Sequence, residues 1–185
     1  MDSVDKNLEL KLIVKCKNGD KSAFGPLINI YRKQLFSYLT RLSNNKSLAE
    51  DLFQETLIKI WKGINNYDEQ KKFSSWIFTI AHNTTIDAIR KDKIMTTLSE
   101  YNTNISILGN PQLDVEISEN KKMIEATLTQ LTDKQKNVFL LRMHSNMTYK
   151  EIAKLTEEPL NTVLSHMNYA VNKIKKMLRE NNVID

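Results

Sequence analysis

Apolar residues return every three or four positions along most of this 185-residue chain, the spacing of a buried helical stripe, and nowhere do they alternate long enough to read as a sheet. Only 4 Gly and 3 Pro interrupt the pattern, so helix is expected to dominate. A first helix is predicted over 8–17, ended by Asn18 and Gly19, a pair suited to a left-handed cap, with Asp20 placed to cap the next helix. A second runs to about Leu42 and buries Phe24, Leu27, Ile28, Tyr31, Leu35, Tyr38 and Leu39. Ser or Thr followed three residues later by Glu or Gln marks three further starts, Ser47 with Glu50, Thr132 with Gln135 and Thr148 with Glu151.

From 93 to about 117 the periodicity gives way to Thr, Ser and Asn around an Asn110-Pro111 break, a stretch longer than connections inside compact domains usually are. The expectation is an all-α protein of two small helical domains, 1–92 and 120–185, joined by a flexible linker over 93–119, the C-terminal domain being a helix-turn-helix. Charge follows the same division: 15 Lys and Arg against 11 Asp and Glu in 1–92, 1 against 4 in 93–119, and 11 against 7 in 120–185. Two basic modules flank an acidic connector, and a net charge of +5 favours an anionic partner. The single cysteine, Cys16, excludes an internal disulfide and, within the apolar run LIVKC, reads as a small core residue. No segment has the apolar run of a signal peptide or membrane span, so a soluble cytoplasmic protein is expected.

Within 47–64, Phe53, Leu57, Ile60, Trp61 and Ile64 form an inward stripe, leaving Asp51, Gln54, Glu55 and Lys59 on the other side. That side is either a solvated face or an interface. The next helix, from Ser74 and Ser75, places Phe73, Ile77, Ile80, Ala81, Thr84 and Ala88 on a core face and Trp76, Thr79, Asn83, Ile86 and Arg90 opposite. An outward Trp beside Asn, Thr and Arg can stack on a base, bond its edge and hold a phosphate; alternatively the indole packs on another helix. Tyr67, Lys71 and Lys72 in the preceding loop add an aromatic and two cations.

A short helix from Thr148 is broken at Glu157-Glu158-Pro159 before another over about 161–179. Val163, Met167, Ala170 and Ile174 can bury one side of it, leaving Thr162, Ser165, His166, Asn168, Tyr169 and Lys173 as candidate base and phosphate contacts of a recognition helix. His82, His144 and His166 show no ligand spacing with Cys16, so no metal is expected. A Gly-rich phosphate loop, an HExxH and a recognisable Ser-His-Asp or Cys-His pairing are all lacking, so neither catalytic residues nor a cofactor are expected.

Several stretches in this order resemble the extracytoplasmic-function group of bacterial sigma-70 RNA polymerase sigma factors. They are Gly19-Asp20 with Ala23-Phe24, AEDLFQETLIKIW (49–61), FSSWIFTIAHNTTIDAIR (73–90), LTDKQKNVFLLR (131–142) and TYKEIAKLTEEPLNTVLS (148–165). The resemblance implies that the chain directs core polymerase to promoters. Asp51, Gln54 and Glu55 would dock on the beta-prime clamp helices, and the C-terminal module would meet the beta flap. Tyr67, Lys71, Lys72, Trp76, Thr79, Asn83 and Arg90 would melt and capture the minus-ten element. Thr162, Ser165, His166, Asn168, Tyr169 and Lys173 would read the minus-35 duplex, and an anti-sigma factor would be a further partner. The family often has Gly where Glu157 and Asn161 stand and cations where Leu164 and His166 stand, which removes charge-assisted contacts. The competing reading is a stand-alone helix-turn-helix regulator that binds duplex DNA without polymerase.

Overall fold

The computed structural model describes the backbone of residues 3–98 and 119–181, and the side-chain surroundings of 6–91 and 123–181. The described residues fold into eight α-helices and two single 3-10 turns, and their contacts divide the chain into two units, Met1–Thr103 and Asn104–Asp185. The acidic stretch 99–118 lies outside the described residues.

In the first unit α1 (Ser3–Lys17) packs on α2 (Phe24–Ser43), which packs on both α3 (Lys46–Gly63) and α4 (Phe73–Leu98), while α3 also packs on α4. The end of α1 is the predicted left-handed stop. Gly19 has φ +86°, the Asp20 N–H reaches the Lys15 carbonyl at 3.0 Å and the Gly19 N–H the Cys16 carbonyl at 2.9 Å, so two orphan carbonyls are satisfied. Asp20 then caps the 3-10 turn Lys21–Ala23 by accepting from the Ser22 N–H, and its bonds from Ser22 hold the carboxyl below its ordinary range. Leu27, Leu35, Tyr38, Leu39, Leu52, Ile60, Ile64, Ile77 and Phe78 are almost fully enclosed and form the core.

Three expectations change here. The start of α3 is capped by Asn45, which accepts from the Leu48 N–H at 3.1 Å, so Ser47 lies inside the first turn and makes no capping box with Glu50. Asn44 in the left-handed region (φ 52°) ends α2 and throws Asn45 into the extended conformation an N-cap needs. Second, α4 continues to Leu98, into the stretch read as linker, since Ile94, Met95 and Leu98 keep helical spacing with no Gly or Pro to stop propagation. Third, Phe78 and Thr85 join the buried residues of α4, because α2 and α3 cover a wider arc of that helix than one stripe.

Cys16 is buried, and burial with the nearby Asp20 carboxylate pushes its thiol up from the ordinary value. Iodoacetamide at pH 7.5 is therefore expected to alkylate it on the order of 100-fold more slowly in native protein than in denatured protein. Equal rates, read by mass spectrometry, would place the thiol outside the core.

In the second unit α8 (Leu160–Glu180) packs against α5 (Glu119–Leu128), α6 (Asp133–Ser145) and α7 (Tyr149–Thr156), with Val138, Leu140, Leu141, Ile152, Val163 and Ala170 at the centre. Both predicted capping boxes are present. Thr132 accepts from the Gln135 N–H while Gln135 accepts from the Thr132 N–H, and Thr148 and Glu151 do the same. Between α7 and α8, Glu157 takes the left-handed conformation (φ 56°) that would suit glycine, at a cost of about 1 kcal/mol. The Glu158 N–H bonds to the Ala153 carbonyl at 3.1 Å, and Pro159 leads into α8.

Candidate functional site

Three exposed surfaces carry the residues singled out from sequence. The first is on α3, where Asp51, Gln54 and Glu55 are all exposed. Glu55 pairs with Lys59 at 2.8 Å, and the same ammonium donates to Thr84 Oγ1 at 3.1 Å, tying the face to α4. At 100° per residue Ile58 falls between Asp51 and Gln54, and its side chain is 54 % exposed, an apolar centre in a polar patch. Next to Gln54, between α2 and α3, a groove of about 760 Å³ has Phe36, Phe53 and Leu57 in its lining and Arg32 and Lys33 beside them. The Arg32 guanidinium lies 5.8 Å from the Phe53 ring centre. Sequence reading missed both features. The signal for Ile58 was an Ile out of phase with the core stripe, whereas the groove needs two helices and could not be read from either.

The second surface begins at the loop before α4. Its frame is tight: Lys17 Nζ donates to the Tyr67 carbonyl at 3.3 Å and pairs with Glu69 at 2.6 Å, and Asp68 accepts from the Gln70 N–H at 3.0 Å. The Tyr67 hydroxyl donates to the Lys71 carbonyl, and its ring packs on Phe73 and Trp76, each 5.1 Å between centres. Tyr67 is therefore buried, not displayed, and burial next to the acidic groups Glu9, Glu69 and Asp68 pushes its phenol up to about 12. The aromatic that the loop was expected to offer at Tyr67 is thus turned in, and the ring is the floor on which the loop stands. Trp76 is half-buried for the same reason, also lying against Gly63, where an added Cβ would sit 3.2 Å from the indole. Thr79 is half-buried and donates to the Ser75 carbonyl. Lys71, Lys72, Asn83 and Arg90 are exposed, so the outward surface is more cationic and less aromatic than expected.

The third surface is α8. Ser165, Asn168 and Tyr169 are exposed, Tyr169 by 51 %, and Thr162 is half-buried. Lys173 is half-buried, donates to the Gln130 carbonyl at 3.2 Å and lies 5.9 Å from the Tyr169 ring centre, so its charge is partly engaged within its own module. His166 corrects a second expectation. It is turned inward, with Nε2 3.6 Å from Glu158 Oε2, because the left-handed turn at Glu157 brings that carboxylate under the helix.

Among the described residues no group of three or more His, Cys, Asp or Glu could hold a metal, and no helix is long and apolar enough to cross a membrane. What the surfaces offer is contact area for a partner: an acidic face with an exposed apolar residue, a cationic loop and helix, and the polar face of α8.

The architecture is that of a two-module helical transcription factor. The chain matches the models for sigma-70 region 2 over residues 27–94 and sigma-70 region 4 over 121–174. It is 29 % identical to the ECF RNA polymerase sigma factor SigW of Bacillus subtilis, over 92 % of this chain and 96 % of that protein. It is 28 % identical to SigM of the same species, over 75 % and 86 %. The fold is shared with the sigma factor RpoE of Bartonella quintana, solved with the anti-sigma factor NepR (TM-score 0.65, 22 % identity, 84 % of this chain and 96 % of that one). It is shared also with CnrH, solved with the cytosolic domain of CnrY (TM-score 0.62, 18 % identity, 94 % and 98 %). The chain belongs to the extracytoplasmic-function group of the sigma-70 family, whose members are transcription initiation factors and not enzymes. Its function is that of an alternative sigma factor directing RNA polymerase.

Proposed function

We propose that residues 1–92 bind core RNA polymerase and the minus-ten element, that 93–119 is the connector, and that 120–185 reads the minus-35 element. Asp51, Gln54 and Glu55 dock on the beta-prime clamp helices, with Ile58 at the centre of the contact. The observation that carries this is the exposed α3 face, where two carboxylates one turn apart stand beside an apolar residue, Ile58, that is more than half exposed. An apolar anchor ringed by polar groups is how protein interfaces commonly hold, which supports this face as the docking surface.

Lys71, Lys72 and Arg90 hold the strand backbone, Asn83 bonds the edge of an unstacked base, and the exposed part of Trp76 and the Thr79 hydroxyl line its path. Tyr67 supports that path from below. In the C-terminal module Ser165, Asn168 and Tyr169 enter the major groove, with Thr162 and Lys173 at its margin, and the module docks on the beta flap. Core polymerase places the protein in the cytoplasm. An anti-sigma factor is a further partner, supported by the Bartonella quintana structure, in which the sigma factor RpoE is held by the anti-sigma factor NepR.

Run-off transcription with purified protein and bacterial core polymerase tests the whole reading, using a fragment bearing the gene's own upstream region and a library of minus-ten and minus-35 variants. Specific starts absent with core alone are expected, and neither starts nor core binding would sink it. In the same assay Asn83→Ala is expected to weaken minus-ten selection on the order of 10-fold, the value of a bidentate base contact, while core affinity stays within about twofold. Unchanged selectivity at every minus-ten position would remove Asn83 from the pocket.

A further inference from the structure

The turn of the helix-turn-helix holds a carboxylate that the DNA-reading role does not call for. Glu158 has a side chain only 10 % exposed, with one oxygen 2.8 Å from Lys134 Nζ at the start of α6 and the other facing His166 Nε2 at 3.6 Å. Neither Glu158 Oε2 nor His166 Nε2 reaches solvent or has a hydrogen-bond partner, and 3.6 Å is too long for one. The backbone fixes this arrangement. Glu157 is left-handed, the Glu158 N–H is bonded to Ala153 and Pro159 follows, which sets where the Glu158 side chain leaves the turn, and the pair with Lys134 holds its carboxylate there. A buried carboxylate with one unsatisfied oxygen attracts whatever donor or cation stands at position 166, the second turn of α8.

We propose that Glu158 is a specificity-determining residue of the DNA-reading module: it holds the side chain at position 166 inward against the turn, so that Ser165, Asn168 and Tyr169 read the duplex without a cation from that turn of the helix. The inference rests on the reading that α8 faces the major groove. His166 stands three residues after Val163 and four before Ala170, at the edge of the buried face of α8, and Glu158 lies on the side toward which its ring is turned. A cation placed at 166 is captured by Glu158 Oε2 through a charge-assisted hydrogen bond before it reaches a phosphate or a guanine.

The test is a cycle of full-length proteins, wild type, Glu158→Gln, His166→Arg and the double variant, each offered a randomised duplex DNA pool between about 50 and 200 mM salt. His166→Arg alone is expected to retain DNA within about twofold of wild type. The double variant is expected to bind about 10-fold more tightly, with a salt slope steeper by about one phosphate contact and a new base preference at one position. With Glu158→Gln alone also expected within about twofold of wild type, such non-additivity requires that Glu158 act on position 166, whereas a gain of about 10-fold from Glu158→Gln alone would overturn the proposal. An equal gain from His166→Arg with Glu158 in place would overturn the proposal. So would no gain in the double variant when Ser165→Ala, Asn168→Ala and Tyr169→Ala weaken retention. If those three change nothing, the groove-facing reading of α8 has failed, and the proposal with it. Should Glu158→Gln unfold the module, as seen by circular dichroism, the apolar Glu158→Leu supplies the same comparison.

Discussion

Reversing both carboxylates of the α3 face, Asp51→Arg with Glu55→Arg, is expected to weaken binding to core polymerase on the order of 100-fold, equivalent to about 3 kcal/mol. Both side chains are exposed in the isolated protein, so the fold loses little. Glu55 gives up its pair with Lys59, whose partners are about half exposed, and such surface pairs are worth at most about 1 kcal/mol. The effect belongs to the complex, where a charge meeting its own sign is desolvated and unpaired. Fluorescence titration of labelled core gives the affinity, and circular dichroism the control. Full affinity in a folded double variant would mean that polymerase docks elsewhere, with the groove beside Arg32 and Lys33 the next place to look. Ile58→Asp should behave like the double reversal, because burying an unpaired carboxylate at the centre of an interface is costly.

The second large effect concerns the scaffold beneath that face. Phe78 has no exposed surface, its ring stands edge-on to Tyr38 at 5.4 Å, and the Tyr38 hydroxyl is hydrogen-bonded to His82 Nδ1 at 3.1 Å. Phe78→Ala opens a cavity at the meeting point of α2 and α4, and is expected to cost about 3–5 kcal/mol. Much of a small domain's stability is of that size. The chain's 2 tryptophans, Trp61 and Trp76, both lie in the first unit, so urea denaturation followed by indole fluorescence reports on that unit alone. A loss below about 1 kcal/mol would show that the ring is not part of a packed core.

What could be read from sequence was whatever depends on near neighbours along the chain. The boxes at Thr132 and Thr148, the glycine stop at Gly19 and the turn at Glu157 are short-range chemistry, and each is present in the structure. Ser47 failed on the same ground, because Asn45 caps as well as Ser and stands two residues earlier. The side chains that turned out differently are those whose partners lie further off or across a turn. Trp76 faces outward on a helical wheel and Tyr67 stands in the loop before it, yet each is the other's packing surface at 5.1 Å. His166 stands at the edge of the buried face of α8, and its partner, Glu158, comes from across the turn. Phe78 was hidden by the assumption of one buried stripe, whereas α4 is covered from two sides. For Asp51 and Glu55 periodicity placed the side chains correctly, and their role came from the resemblance, since an exposed carboxylate carries no mark of what it binds.

The loop before α4 is already fastened by Lys17, Asp68 and Tyr67 in the free protein. A DNA strand reaching it has little chain to order, so the entropic penalty of shaping the loop has been met during folding rather than at the promoter. A preformed receptor of this kind admits right and wrong sequences at similar speed and differs in how long it keeps them. On the proposed reading, in which this loop meets the minus-ten strand, promoter choice there is a matter of residence time.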